Sequence, residues 1–310
     1  GVDIQSIAVQ ISKLRFFISL IVDQHPTENK TDNFGIRPLP NLEAKFVAAN
    51  TLVGLKKEKT LFDDSAVEKL QKKMIQANHR IFAAKSNKSK NTYRDRVEKL
   101  QGQITDRLEE LGTVGNEDAQ LMKKWKMFDQ NESSPFFDLE WMFGITDGVD
   151  IIIGNPPYLK EGRVSKTVFE DLKESPYYQC KMDLWYMFAC VGLDLLKENG
   201  HICFIATHYW VTNDGASKLR AKVVLDSKII QISDFNNLMI FESASIQTMI
   251  MIFQKCQNDN HYTFDYRRLK DSKTNKTDAI LLLLKEAKNA IYLHPIIDRQ
   301  LLKDSKLTFS

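Results

Sequence analysis

The 310-residue chain reads as an α/β protein: an open, mostly parallel sheet with a terminal antiparallel strand and an α-helical hairpin set into it. Three observations predict this. Asp150-Ile151-Ile152-Ile153-Gly154 is a β-branched run between an acid and a glycine, the pattern of a short strand buried on both faces. A strand end at residues 1–4 is followed at once by a helical pattern, the order in which parallel sheets are built. Residues 65–112 show two helical stripes and no strand alternation.

Taken in order, residues 1–4 are the strand end, and residues 7–22 form a helix with Ile7, Ile11, Leu14, Ile18 and Ile21 as its inner stripe. Residues 25–42, rich in Pro, Asn, Asp and Gly, form a loop. Phe46 to Ala49 is a brief strand that ends at Asn50. Leu70, Met74, Ala77 and Ile81 mark the first helix of the hairpin; Val97, Leu100, Ile104, Leu108 and Leu111 mark the second. Between them Lys85 to Lys90 is a basic turn, either a contact for nucleic-acid phosphates or a solvated tip. Residues 121–143 return to the sheet, with Trp125, Phe128, Phe136, Phe137, Trp141 and Phe143 as cover for the hairpin base or a sheet edge.

Beyond residue 158 the chain is polar to about 179, where Tyr177 and Tyr178 either reach a ligand or pack. Asp183 is the expected N-cap of a helix that Asn199-Gly200 stops, with Leu184, Phe188, Val191 and Leu195 inside. Strands are expected at 202–206, 229–235 and 246–253, the last two antiparallel, then at 262–266, before a helix at 279–290. His208 has no visible carboxylate partner and reads as structural.

Composition narrows the class. A chain 43% hydrophobic and 27% charged can bury a sizeable core. No apolar run approaches the roughly 18 residues of a membrane span and no signal-peptide pattern is present, so a soluble cytoplasmic protein is expected. Cys180, Cys190, Cys203 and Cys256 have neither paired spacing nor zinc-ligand spacing, and read as reduced, mostly buried thiols. A net charge of +3 is too small by itself to indicate a nucleic-acid partner.

The chemistry concentrates at Asn155-Pro156-Pro157-Tyr158. Two prolines supply no amide donors and hold Asn155 extended, so the strand must end there in a stiff loop. Open α/β sheets bind ligands at the carboxyl ends of their strands. The loop offers a side-chain amide oxygen at Asn155, a carbonyl at Pro156 and an aromatic ring at Tyr158. Those groups suit a planar ligand with an exocyclic amine: two acceptors for the NH2 hydrogens and a ring to stack on.

That tetrapeptide resembles the catalytic loop of the amino-methylating DNA methyltransferases, in the form found in their adenine-N6 branch. Phe136-Phe137-Asp138 through Glu140-Trp141-Met142-Phe143-Gly144 resembles the stretch before that loop in type IIG and IIS restriction–modification methylases. The resemblance covers most of residues 1–255. It implies a class I (Rossmann-like) methyltransferase sheet, S-adenosyl-L-methionine as cofactor, and double-stranded DNA with a flipped adenine as substrate. Asn155, Pro156, Pro157 and Tyr158 then become catalytic. Asp3 would hold the cofactor ribose, Ile4 would pack on its adenine and Asn50 would accept from the adenine amine. Phe188, within Asp183-Leu184-Trp185-Tyr186-Met187-Phe188, either lines the cofactor pocket or fills the core; Phe241 either packs edge-on against the target base or is core.

Measured against that family, the chain has no glycine loop before Asp3, so its sheet is expected to miss its first strand and the fragment to bind cofactor poorly. Opening at Gly1 inside a strand pattern, it reads as a piece of a longer polypeptide. The expected domains are 1–55, the first part of the methyltransferase domain; 56–145, the hairpin insertion; 146–256, the catalytic part; and 257–310, the lead-in to a target-recognition region. Nuclease and target-recognition modules are expected elsewhere in the parent. The same loop also serves cytosine-N4 and protein-glutamine methylation, and a non-catalytic DNA-binding or scaffold fragment is a further alternative.

Overall fold

A computed structural model describes residues 1–36, 42, 45–56, 61, 64–82, 84, 86–129, 131–162, 167–242, 246–256, 260–270, 274–299 and 307. The chain divides into two compact units, Gly1–Thr146 and Asp147–Ser310.

In the first unit, β1 (Val2–Asp3) pairs in parallel with β2 (Val47–Ala48), Asp3 lying opposite Ala48. Between them runs α1 (Ser6–Val22), followed by a loop that contains the 3-10 turn Lys30–Gly35; residues 37–41 of that loop lie outside the described residues. The helix forms where its periodicity predicts, but its expected inner stripe faces outward. Ile7, Ile11, Leu14, Ile18 and Ile21 are all 49–63% exposed, and the buried positions are Val9 and Lys13. Among the described residues of this unit the sheet has two short strands, too little surface to cover a five-turn helix.

The hairpin consists of α2 (Ser65–Phe82) and α3 (Asn87–Glu110). It is antiparallel: Arg107 lies 3.9 Å from Asp64 at one end, and Arg80 Nη1 donates to the Tyr93 hydroxyl at the other, 3.4 Å away. Met74, Ala77 and Ile81 on α2 and Val97, Leu100, Ile104 and Leu108 on α3 are buried as their spacing requires; Leu111 is not, because α3 has ended and it stands 42% exposed. The turn is shorter than expected. Ser86 caps α3 by accepting from the Ser89 amide, so Asn87 to Lys90 are already helical, and Lys85 lies outside the described residues. The return segment holds α4 (Asn116–Lys124) and α5 (Leu139–Phe143). It reaches β2 through a parallel bridge from Ala49 to Ser134, and it buries Phe136, Phe137 and Trp141.

The second unit is built on one six-stranded sheet. In chain order its elements are β3 (Val149–Gly154), α6 (Thr167–Glu170), α7 (Leu184–Leu195), β4 (Leu196–Thr207), α8 (Ser217–Asp226), β5 (Ser227–Asp234), β6 (Thr248–Lys255), β7 (His261–Thr263), β8 (Asp265–Leu269), α9 (Lys276–Leu283), β9 (Ala290–Leu293) and β10 (Ile296–Asp298). Strand order in the sheet is β3-β4-β6-β5-β8-β9, and β7 pairs with β10 in a separate antiparallel ribbon. The sheet is mixed rather than mostly parallel. β3 and β4 are parallel, as are β5 and β8; β6 runs antiparallel between β4 and β5, and β9 antiparallel to β8. The antiparallel strand β6 is therefore interior, not terminal.

Three further expectations need correction. β3 is an edge strand, and Ile151 and Ile153 are 66% and 79% exposed, so it is not buried on both faces. The strand expected at 262–266 breaks at Phe264, where the chain changes partner: β7 bonds to β10, Phe264 N–H donates to the Pro295 carbonyl, and β8 bonds to β5. The thiols are less buried than expected, since only Cys190 is fully buried while Cys180 is exposed. Within 257–310, the stretch read as a lead-in, β8 and β9 join the sheet and α9 packs Ala279 and Leu282 against Phe235 and Leu269. No described helix is long and apolar enough to cross a membrane.

Ile232, fully buried on β5, and Ile153 on β3 make a direct contrast. Ile232→Ala should cost about 2–5 kcal/mol and Ile153→Ala within about 0.5 kcal/mol, read from urea denaturation midpoints. Equal losses would mean the outer face of β3 is covered.

Candidate active site

The site begins where β3 stops. At Gly154 a Cβ would lie 2.8 Å from a ring carbon of Phe204 on β4, so the last strand position needs the residue without a side chain. Asn155 is exposed, Pro156 buried, Pro157 exposed and Tyr158 half-buried. The Tyr158 hydroxyl sits 2.6 Å from Asn155 Oδ1 and 2.8 Å from the Ile205 carbonyl, and its one proton can be donated to either oxygen. Partial burial, reinforced by the charge of Asp183, raises this phenol to about 12, so it stays a neutral donor. Phe241, half-buried, is brought to the same place: its ring centroid is 6.4 Å from that of Tyr158, tilted by 54°.

The loop after Tyr158 is laced to the start of α7. Leu184 N–H donates to the Leu159 carbonyl at 2.9 Å, Glu161 N–H donates to the Met182 carbonyl at 2.9 Å, and Lys160 forms an antiparallel bridge with Asp183. Asp183 stands at the N-cap position but makes no side-chain cap bond, so the capping role expected of it is not played. It is 9% exposed, its Oδ1 has no hydrogen-bond partner, and burial raises its carboxyl to about 6 against the opposing pull of nearby backbone amides and Lys160. Its proximity to Tyr158 and Tyr186 was invisible in the sequence, where an acid opening a helix reads first as a cap. Phe188 lies half-exposed between buried Met187 and Ala189.

Neighbouring groups have structural partners. The Tyr177 hydroxyl donates to Asp194 Oδ2, and that of Tyr178 donates to Glu161 Oε1 at 2.6 Å, so both phenols are committed. His208 does have an acid nearby: burial lowers its pKa, and Asp234 pulls it the other way. Thr207 Oγ1 accepts from the Trp185 indole at 3.0 Å.

In the first unit, Asp3 and Asn50 stand at the carboxyl ends of the adjacent parallel strands β1 and β2. Asp3 Oδ1 accepts from the Gln5 amide at 2.8 Å, and Asn50 Oδ1 accepts from the Leu52 amide at 3.1 Å. Ile4, 58% exposed, sits beside Asp3. The structure thus groups Asp3, Ile4 and Asn50 in one unit, and Asn155 through Tyr158, Phe188 and Phe241 in the other. Among the described residues no cluster of His, Cys, Asp and Glu could hold a metal ion.

The profile of the Eco57I restriction-modification methylases matches residues 1–241. The chain belongs to that family. Over 130 residues it is 25% identical to the type II restriction enzyme and methyltransferase RM.Eco57I of Escherichia coli, a match covering 40% of this chain and 12% of that protein. It is 28% identical over 113 residues to the type II methyltransferase M.HincII of Haemophilus influenzae, covering 35% and 22%. The chain thus matches under a quarter of the length of either relative. The type IIG restriction endonuclease BpuSI is similar over 77% of this chain and 31% of its own, with 12% identity and a TM-score of 0.37.

S-adenosyl-L-methionine is the cofactor expected of a methylase of this family. The residues present suit parts of it. Beyond those local bonds Asp3 has a second carboxylate oxygen and Asn50 a second acceptor lone pair, and Ile4 and Phe188 are apolar side chains left partly open.

Asp183 gives this Eco57I-type site a pH signature. Its carboxyl is raised from 3.8 to about 6 in the fold, so between those values the native state holds a proton that the unfolded chain has lost. Stability from this group therefore falls as pH rises through the window and is lowest above it, by about 1–3 kcal/mol. Urea midpoints measured against pH for wild type and Asp183→Asn should diverge there, with the variant lacking the decline. Parallel curves would show that the carboxyl titrates normally.

Proposed function

We propose that the chain is the catalytic part of an adenine-N6 DNA methyltransferase within a restriction–modification enzyme, acting on an adenine flipped out of duplex DNA. The observation that carries this reading is the grouping of Asn155, Tyr158 and Phe241 after β3: the Tyr158 hydroxyl is 2.6 Å from Asn155 Oδ1, and its ring centroid is 6.4 Å from that of Phe241.

An adenine amine is a poor nucleophile because its lone pair is delocalised into the ring. Asn155 Oδ1 and the Pro156 carbonyl would each accept one amine hydrogen, drawing the nitrogen toward a tetrahedral geometry and stabilising the positive charge that develops on it. An amide oxygen has two lone pairs, so Asn155 can serve the amine while the Tyr158 hydroxyl holds it in orientation. The Tyr158 ring would stack on the extruded base and Phe241 would pack against its edge, restoring part of the few kcal/mol lost on unstacking. S-adenosyl-L-methionine supplies an electrophilic methyl group. Asp3, Ile4, Asn50 and Phe188 are the residues proposed to hold it.

The same reading makes the α2–α3 hairpin an insertion into the methyltransferase sheet. It also places a further strand, with the glycine loop that binds the cofactor, beside β3. The outer edge of β3, which pairs with no strand among the described residues, and the exposed Ile151 and Ile153 support that placement, since an open edge and an uncovered apolar face ask for a partner. Nuclease and target-recognition modules would be further parts of the parent protein.

In the full-length parent, Asn155→Ala should lower methyl transfer to duplex DNA by at least about a hundred-fold, the scale of losing one transition-state contact. Wild-type turnover would show that the loop is not catalytic. Assays with cytosine-N4 and protein acceptors test the specificity, and methylation of either in preference to adenine overturns it. Titration calorimetry on the 310-residue chain alone should detect weak or no cofactor binding. Binding in the micromolar range would mean the cofactor site needs no additional strand.

A further inference from the structure

The small net charge of the chain hides a strong local imbalance. Between residues 69 and 96, nine lysines and arginines stand against one acid, Asp95, in a chain whose net charge is +3. The rest of the sequence is therefore net acidic, and the positive charge of the molecule is gathered on the outer part of one hairpin.

The structure shows how that charge is displayed. On α2, Lys69, Lys73 and Arg80 recur at steps of four and seven residues, one row along the side away from buried Val67, Met74 and Ile81. On α3, Lys88, Arg96 and Lys99 recur at steps of eight and three, again away from buried Val97, Leu100 and Ile104. All six side chains are exposed. Among the described residues, Lys69, Lys73, Lys88, Arg96 and Lys99 meet no carboxylate, whereas the cations near the hairpin base do: Arg107 pairs with Glu110, and Lys123 with Asp106 and Glu109. Arg80 contacts Tyr93, a neutral partner that fixes its stem and leaves its charge uncompensated.

Unpaired exposed cations repel one another and do nothing for the stability of the hairpin, whose two helices are already held by an apolar seam. A surface of this kind fits a polyanion. Each row spans 11 residues, about 16 Å at 1.5 Å of rise per residue, and duplex DNA presents one negative charge per about 1.7 Å of its axis. The matching partner is thus a regular, dense line of phosphates rather than a single anion. Side chains that would read base edges, such as Asn or Gln, are not needed for that contact; lysines and arginines on rigid helices suffice.

We propose that the α2–α3 hairpin is a sequence-independent clamp on the phosphate backbone of duplex DNA, with Lys69, Lys73 and Arg80 forming one contact row and Lys88, Arg96 and Lys99 the other. Duplex DNA is chosen over other polyanions on the strength of the methylase reading. The hairpin supplies the affinity and the salt dependence of binding, and the loop at Asn155 acts on the base.

The test is fluorescence anisotropy of the 310-residue chain with a labelled duplex of arbitrary sequence, titrated between about 50 and 200 mM salt. Two variants each neutralise one row: Lys69→Gln with Lys73→Gln and Arg80→Gln, and Lys88→Gln with Arg96→Gln and Lys99→Gln. Glutamine is close to lysine and arginine in helix propensity, so circular dichroism should be unchanged. Each variant should bind about ten-fold more weakly, with the slope of log affinity against log salt shallower by about 2–3. Exchanging Lys69, Lys73, Lys88 and Lys99 for arginine should preserve both readings. Unchanged affinity and slope in the glutamine variants would overturn the proposal, as would tighter binding to phosphatidylserine vesicles than to DNA, which would point to a membrane surface. The measurement scores binding alone. A failure here leaves the methyl-transfer assay of Asn155→Ala untouched, and a failed methyl-transfer assay leaves the salt slopes intact.

Discussion

Pro156 and Pro157 end β3 because neither has an N–H to continue the ladder with β4, and the geometry of the candidate site follows from that termination. The last paired position is Gly154 opposite Phe204; one residue further on β4, the Ile205 carbonyl lies 2.8 Å from the Tyr158 hydroxyl, whose one proton serves either that oxygen or Asn155 Oδ1. The Tyr158 ring centroid lies 6.4 Å from that of Phe241, and Asn155 stays exposed. The loop is further pinned from behind by the hydrogen bonds of Leu159 and Glu161 to the start of α7. A loop held at both ends by backbone and side-chain bonds presents its acceptors without having to be ordered by a ligand, which lowers the entropic cost of binding.

The electrostatic setting is arranged around neutral phenols and one costly acid. Tyr158 and Tyr186 are both held near 12 by burial, with Asp183 adding to the effect, so neither ionises under ordinary conditions. Asp183 pays for its position with a carboxyl raised to about 6 and an Oδ1 without a partner. A simple N-cap would have satisfied the acid locally; instead its charge acts on Tyr158 in the loop and on Tyr186 in α7.

What could be read from the sequence was local in character. The strand before Asn155, the helices α1 to α3 and the termination at the two prolines follow from periodicity and from proline chemistry, both of which act over a few residues. Phe241 could be placed beside Tyr158 only through resemblance, because 83 positions separate them and no pattern encodes that contact. The misplaced expectations share one cause: a side chain's pattern states that it is apolar, not whether anything covers it. Ile151 and Ile153 look the same in an edge strand as in a central one, and the row from Ile7 to Ile21 has the spacing of a core face although it lies open. The interior place of β6 is likewise a matter of strand order, which alternation along one strand cannot reveal. Nor does a run of nine cations among polar residues announce that a hairpin will leave Lys69, Lys73, Lys88 and Arg96 among them without a carboxylate.

Those two uncovered apolar surfaces bear on how the fold is completed. Among the described residues, a five-residue aliphatic row on one helix and an edge strand with two exposed isoleucines are surfaces of the kind that serve association or invite aggregation. A strand laid along β3 would satisfy the backbone groups of its free edge, and apolar cover on that face would bury Ile151 and Ile153. A helix row such as that of α1 is covered by packing against a sheet of more than two short strands. Both demands concern cover rather than catalytic groups, since the acceptors of the loop and the acid and amide at the ends of β1 and β2 already stand where their strands put them. The loop is held by the neighbours of the Tyr158 hydroxyl and by backbone bonds to the start of α7, while the apolar faces of β3 and α1 stay exposed.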